Sequence, residues 1–180
     1  TLGQIRSQGA ARVQLQPVRY DAAAGQLRVA RSMDVRVHFD GAALTPAGRE
    51  PIAFERLVDQ WLLGVPEVRG GMPVIHETML FVVGDDLMDA IGPMVEWKAR
   101  RGLSVVVAPM SEIGSSETDV MATIQTVYDE ADPPLTYVLL VGDDTHVPTN
   151  SVQAWDWDGR GESDFLYTLL EGGDRMPDVY

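Results

Sequence analysis

Three apolar runs constrain this chain more than anything else in it. Met79 to Val83 ends in Gly84-Asp85-Asp86, Leu103 to Ala108 follows a helical stretch, and Leu135 to Val141 leads straight into Gly142-Asp143-Asp144. The third run is continuous rather than alternating, which is the pattern of a strand covered on both faces. Helical patterns separate them. One runs up to Arg101 and is closed by Gly102, where a left-handed cap belongs. Gly92 and Pro93 fall inside it and predict either a kink or a start near Pro93. The other opens with Ser116 and Asp119 in capping-box spacing, shows Val120, Ile124, Val127 and Ala131 on one face, and stops at Pro133-Pro134. Strand, helix, strand, helix, strand with short links predicts right-handed βαβ crossovers and a doubly wound parallel sheet, an α/β fold. A further short strand is expected near 165–170.

Upstream the pattern is different. Val13 and Leu15, then Leu27 and Val29, then Val35, Val37 and Phe39 alternate with polar neighbours. Three such segments predict a short antiparallel β meander with one face buried, the trailing part of a β-rich domain. Residues 42–78 hold many glycines and prolines and read as a connector. Within it Phe54, Leu57, Val58, Trp61 and Leu62 share one helical face that should dock on the following unit. The organisation expected is therefore a β-segment over 1–41, a connector over 42–78 and an α/β unit over 79–180.

Charge follows the same division. The 180 residues carry a formal charge of −13, but residues 1–78 hold 9 basic and 8 acidic side chains, whereas residues 79–180 hold 5 and 19. So negative a chain is repelled by nucleic acid and by anionic membrane surfaces, and neither is expected as a partner. No apolar run approaches the roughly 20 residues that cross a bilayer, so membrane insertion is not expected. The sequence has no cysteine, which excludes disulfides, thiolate metal sites and a cysteine nucleophile within it. It opens on Thr1 without a basic-then-apolar leader, so an export signal is expected to lie outside it.

Several motifs fail on inspection. Gly114-Ser115-Ser116-Glu117-Thr118 lacks the second glycine of a nucleophile elbow. His76-Glu77 is followed by Leu80 where a zinc helix would carry its second histidine. Asp156 to Gly161 imitates a calcium loop until Arg160 and Tyr167 spoil it. His38, His76 and His146 read as structural or surface residues. Carboxylates remain: Asp85, Asp86, Asp143 and Asp144 fall just past strand ends, where doubly wound sheets bind ligands, and Glu171 to Asp178 adds a glycine-containing acidic turn. Gathered carboxylates need a cation, and calcium accepts such oxygen sets.

The blocks VEWKARRGLSVVV (95–107), LTYVLLVGD (135–143) and SDFLYTLLEGGDRMPDVY (163–180) are similar to the gingipain-like cysteine endopeptidases. The resemblance implies that 79–180 is the first half of a caspase-like catalytic unit, and LQPVRYDAAAGQLRVARSMDVRVHFD (15–40) resembles the end of the preceding propeptide. It implies a secreted or cell-surface peptidase precursor acting on proteins or peptides. The cysteine and histidine are expected beyond Tyr180, so this part has no catalytic residue and is inactive by itself. The remaining half of the catalytic domain is then its first partner. The resemblance further implies a structural calcium held by the carboxylates of Asp143, Asp174 and Asp178, with Glu171 and Met176 giving main-chain oxygens. Asp178 stands where the family has glutamate, and Glu171 where it has an apolar residue. The alternative reading is a non-catalytic α/β module that binds a cation or a partner. Arg69, before Gly70-Gly71, is the expected maturation site.

Overall fold

The computed structural model describes residues 2–6, 8–36, 51, 53, 54, 56, 60, 77–153, 160–173 and 175–180. Its centre is a three-stranded parallel sheet of β5 (Thr78–Val83), β6 (Ser104–Pro109) and β7 (Leu135–Val141), in the order β6-β5-β7. Thr78 to Val83 pair in register with Ser104 to Pro109, and Met79 to Val83 with Tyr137 to Val141. β5 is buried at all six positions because it lies between two strands and beneath two helices.

The side chains of β5 divide by parity. Met79, Phe81 and Val83 pack with Ile91 of α1 (Met88–Arg100) on one face. Leu80 and Val82 pack with Val120 and Ile124 of α3 (Glu117–Glu130) on the other. The continuous apolar run thus serves two cores at once, which is why it shows no alternation. The helices lie on opposite faces while β6 and β7 flank β5 on opposite sides, the doubly wound arrangement expected.

Local signals in this part hold at both helices. Ser116 Oγ accepts from the Asp119 N–H at 3.2 Å while Asp119 Oδ2 accepts from the Ser116 N–H at 3.1 Å, a complete capping box. Gly102 has φ +93°, the left-handed geometry that closes α1. α1 nevertheless runs through Gly92 and Pro93 from Met88; a 3-10 turn at Asp85–Leu87 feeds into it, and Pro93 in its second turn removes only one N–H donor. α2 (Met110–Ile113) is one turn, linking β6 to the capped start of α3.

Other expectations give way. β7 is fully buried only at Leu135 and Thr136, since its outer edge is lined, among the described residues, by the end of the chain alone: Tyr180 donates to Thr136 O at 2.9 Å and accepts from Val138 N–H at 2.8 Å. The strand expected at 165–170 is a 3-10 turn, Phe165–Thr168. A hairpin of β8 (Asn150–Gln153) and β9 (Arg160–Ser163) stands before it.

The N-terminal segment is antiparallel, as expected, but not one meander. It forms separate hairpins, β1 (Leu2–Ile5) with β2 (Gln8–Ala11) and β3 (Val18–Asp21) with β4 (Gln26–Val29). Val13 and Leu15 lie outside any strand, and Val18, Tyr20, Leu27 and Val29 are 50% to 67% exposed. The buried face is therefore absent here: alternation gives a strand two faces, but only a second layer buries one of them. Val35 is coil, while Val37 and Phe39 lie outside the described residues, as does the 41/42 boundary. In the connector, Ala53, Phe54, Arg56 and Gln60 are helical, and Phe54 is 2% exposed against Tyr180, ring centroids 4.9 Å apart. Leu57, Val58, Trp61, Leu62 and Arg69 lie outside the described residues.

Candidate functional site

The loops after β5 and β7 meet at the carboxyl end of the sheet, beside the point where strand order reverses. Each loop begins with a glycine, and both glycines face His146. A Cβ on Gly84 would stand 2.8 Å from His146 Cβ, and one on Gly142 only 2.4 Å from it. Gly142 also has φ +131°, which side chains with a Cβ rarely adopt. The two glycines clear the space in which the imidazole sits.

The ring then bridges the two loops. His146 Nδ1 is 2.6 Å from Asp143 Oδ1, after β7, and Nε2 is 3.3 Å from Asp86 Oδ2, after β5. Asp143 Oδ1 also accepts from the Thr145 hydroxyl at 2.7 Å and the Thr145 N–H at 3.0 Å. Asp143 is consequently pulled down to about 2, chiefly by the Thr145 hydroxyl and then by His146. The histidine moves the other way, raised above its ordinary 6.5 first by its bond to Asp143 and further by the Asp143 and Asp86 charges. Two carboxylates facing one ring favour its imidazolium form, and in that form the group ties the loop after β5 to the loop after β7. Asp85 accepts from the Ser111 N–H at 3.0 Å and joins the start of α2 to the same edge.

Chemically the group can hold a proton, but it does not form a nucleophile–base pair. The Thr145 hydroxyl, 3.5 Å from Nδ1, is committed to Asp143, and the chain has no cysteine. Residue-type reasoning had placed His146 among structural or surface histidines. The missed signal is local: Gly142-Asp143-Asp144-Thr145-His146 after a strand puts a carboxylate and an imidazole three residues apart on a turn, with His146 N–H donating to Asp143 O at 3.0 Å.

Of the five residues expected to share a calcium, Asp143 and Asp178 stand apart. Asp143 is at the carboxyl end of β7. Asp178 lies at the other end, where its carbonyl oxygen and that of Leu135 both accept from Arg6 Nη1 at 2.8 Å. At ~3.3 Å per residue, a strand of this length separates the two carboxylates by about 20 Å. Asp178 is fully buried and its oxygens are occupied: Oδ1 accepts from Arg6 N–H at 3.0 Å, and Oδ2 from the Leu170 and Glu171 N–H groups at 2.8 Å each. Burial raises its pKa, against the lowering effect of those three donors. Glu171 Oε2 accepts from the Tyr128 hydroxyl at 2.8 Å, and that phenol is raised well above its usual range, mainly by burial. Asp174 lies outside the described residues, and Met176 is half-buried. Among the described residues no group of three or more His, Cys, Asp or Glu side chains could hold a metal ion. Likewise among them, no helix is long and apolar enough to cross a membrane.

Known proteins share this architecture. The Lys-gingipain of Porphyromonas gingivalis is 25% identical over 197 aligned residues, which cover 99% of this chain and 11% of that protein. Gingipain R2 of the same organism is 29% identical over 104 residues, 57% of this chain and 13% of its own. The crystal structure of the Arg specific cysteine proteinase gingipain R superposes with a TM-score of 0.52 at 27% identity, covering 61% of this chain and 25% of that one. The complex of P. gingivalis RgpB pro- and mature domains gives 0.51 at 28% identity, covering 57% and 23%. The chain thus spans about a tenth of the curated relatives it matches and a quarter of the solved ones. The profile of peptidase family C25 matches residues 75–180, more than half the chain and the whole of the layered sheet with its His146 edge, so the chain belongs to peptidase family C25.

Proposed function

We propose that these residues are part of a secreted, gingipain-like cysteine endopeptidase precursor: a propeptide-like β-segment over 1–41, a connector over 42–78, and the first part of the catalytic unit over 79–180. The observation that carries this reading is the step in the matches. The family profile begins at residue 75, just ahead of β5, while the Lys-gingipain alignment extends over the exposed hairpins as well. A relative of this kind has been solved with its pro- and mature domains together.

In such a precursor this part supplies scaffold rather than chemistry. It has no cysteine, so the thiolate that attacks the peptide carbonyl, and the histidine that serves it, come from sequence beyond Tyr180. That remaining half of the catalytic domain is the first partner, and proteins or peptides are the substrates. Scission near Arg69 breaks the covalent link between the two units on maturation. The test is a comparison of the 180-residue chain with the full-length product on fluorogenic peptides, before and after alkylation. The short chain is expected to be inert and the long one active and alkylation-sensitive. A full-length product without thiol-dependent hydrolysis overturns the reading and leaves a non-catalytic α/β binding module.

Calcium belongs to this proposal through the resemblance alone. An ion shared by all five expected residues does not fit the separation of Asp143 from Asp178 along β7. A calcium would be held at one end, by Asp143, or at the other, by the turn at 171–176. The discriminating measurement is the melting temperature with and without chelator. A chelator effect abolished by Asp143→Asn assigns the carboxyl end; one abolished by Asp174→Asn assigns the turn; no effect removes calcium from the proposal.

A further inference from the structure

One side chain of the N-terminal segment behaves unlike its neighbours. Where side chains are described in the segment up to residue 36, only Arg6 is buried, at 5% exposure. It sits in the turn between β1 and β2 with φ +49°, a left-handed conformation that is uncommon outside glycine and asparagine. The turn aims it into the amino end of the α/β unit, where its backbone N–H, its Nη1 and its guanidinium face all have partners. Its N–H donates to Asp178 Oδ1, and its Nη1 donates to Leu135 O and to Asp178 O. The guanidinium carbon lies 4.6 Å from the ring centroid of Tyr128 and 5.1 Å from that of Phe54.

These walls are built independently of the arginine. Tyr128 belongs to α3 and is fixed by its bond to Glu171; Leu135 opens β7; Asp178 is held by Leu170 and Glu171 N–H groups. Aromatic faces for a flat cation and two main-chain carbonyls in reach of its N–H groups make a receptor for guanidinium rather than ammonium, while the Asp178 carboxylate takes the backbone N–H of the same residue. The pocket opens at the end of the sheet opposite His146. We infer that the amino end of β7 carries a guanidinium-binding pocket, walled on one side by Phe54 of the connector and filled in cis by Arg6, through which this one side chain holds the N-terminal β-segment when the chain is cut ahead of the connector. The inference stands on this geometry and does not require the chain to be part of a peptidase.

Two measurements on the full 180-residue chain test it. In the first, a specific protease recognition sequence is inserted between Gly41 and Ala42, which leaves Phe54 with the α/β unit, and is cleaved. The halves are expected to co-elute in size exclusion, to associate on the order of 10- to 100-fold more weakly with Arg6→Ala, and to be weakened by Arg6→Lys also, because charged hydrogen bonds and stacking are lost. Parent halves that separate on cutting, or Arg6→Ala halves that associate as tightly as the parent's, overturn the proposal. In the second, uncut Arg6→Ala is melted with millimolar propylguanidinium or butylammonium. Propylguanidinium is expected to raise its melting temperature while leaving the parent unchanged, and butylammonium to do neither. Equal responses to both cations, or none, overturn it. Should the alanine chain fail to fold, Arg6→Lys carries both readings.

Discussion

The N-terminal segment and the α/β unit are both made of short strands with apolar residues at regular spacing, yet they bury very different amounts of them. In the β3–β4 hairpin, Val18 faces Val29 and Tyr20 faces Leu27 across the ladder, and all four remain at least half exposed. In β5, five consecutive apolar residues are no more than 6% exposed. The strands differ less than their surroundings do. β5 has a strand on each side and a helix on each face, so every one of its side chains is removed from water; a two-stranded hairpin has no second layer. What anchors the first region is a polar contact, Arg6, and what builds the second is apolar burial.

The largest effect that could break this comparison is in the core. Phe81→Ala is expected to destabilise the α/β unit by about 3–5 kcal/mol, whereas Leu27→Ala should stay within about 0.5 kcal/mol. Chemical denaturation of the two variants checks this, and comparable losses would mean that the hairpin face is covered after all.

Next comes the close approach of the two loops to His146. Gly142→Ala meets both a positive φ and a 2.4 Å contact, and a loss of about 1–3 kcal/mol or more is expected; Gly84→Ala, with no such φ, should cost less. Their order in thermal melts sharpens the picture of the ring as wedged between loops.

A smaller loss, about 1 kcal/mol, is expected for Ser116→Ala, which removes the cap acceptor for Asp119 N–H at the start of α3. Amide exchange in the first turn of that helix is the sensitive measure.

The smallest effect is a pH dependence. A histidine raised in the folded state contributes stability that is complete below its ordinary 6.5 and disappears as pH rises through the raised folded value. Asp143 runs the other way: its contribution is complete above the ordinary 3.8 and is lost as pH falls toward about 2. Relative to His146→Gln, the parent should therefore lose part of its stability advantage as pH rises above 6.5 and through the raised folded value. Parallel curves for the two proteins would show that the imidazole adds no charge-dependent tie.

Much of the α/β unit could be read locally. The capping box at Ser116 and Asp119, the glycine cap at 102 and the placement of β5 and β7 depend on neighbours close in sequence or on patterns within one element. Other features depended on partners that no window contains. Pro93 suggests a kink or a start, but α1 already begins at Met88, with the preceding 3-10 turn to grow from. Phe165 to Leu170 looks like a strand in sequence, yet Tyr180 occupies the edge of β7 and Tyr167 turns into the core, its hydroxyl donating to Pro148 O at 2.6 Å. The candidate site divides in the same way. That acidic side chains would follow the strand ends was legible; that a histidine would seat among them depended on two glycines 58 residues apart meeting in space.

By itself the sequence determined the strand–helix–strand–helix–strand order from β5 to β7 and the concentration of negative charge in residues 79–180, since periodicity and charge are properties of the chain read in line. Tertiary structure alone decided that Asp143 and Asp178 stand at opposite ends of one strand, that His146 bridges two loops, and that Arg6 crosses 172 positions to reach Asp178. Spacing along a chain does not fix which end of a strand a returning segment will meet. That is set when the layers pack and each buried charge must find the donors and acceptors that replace water.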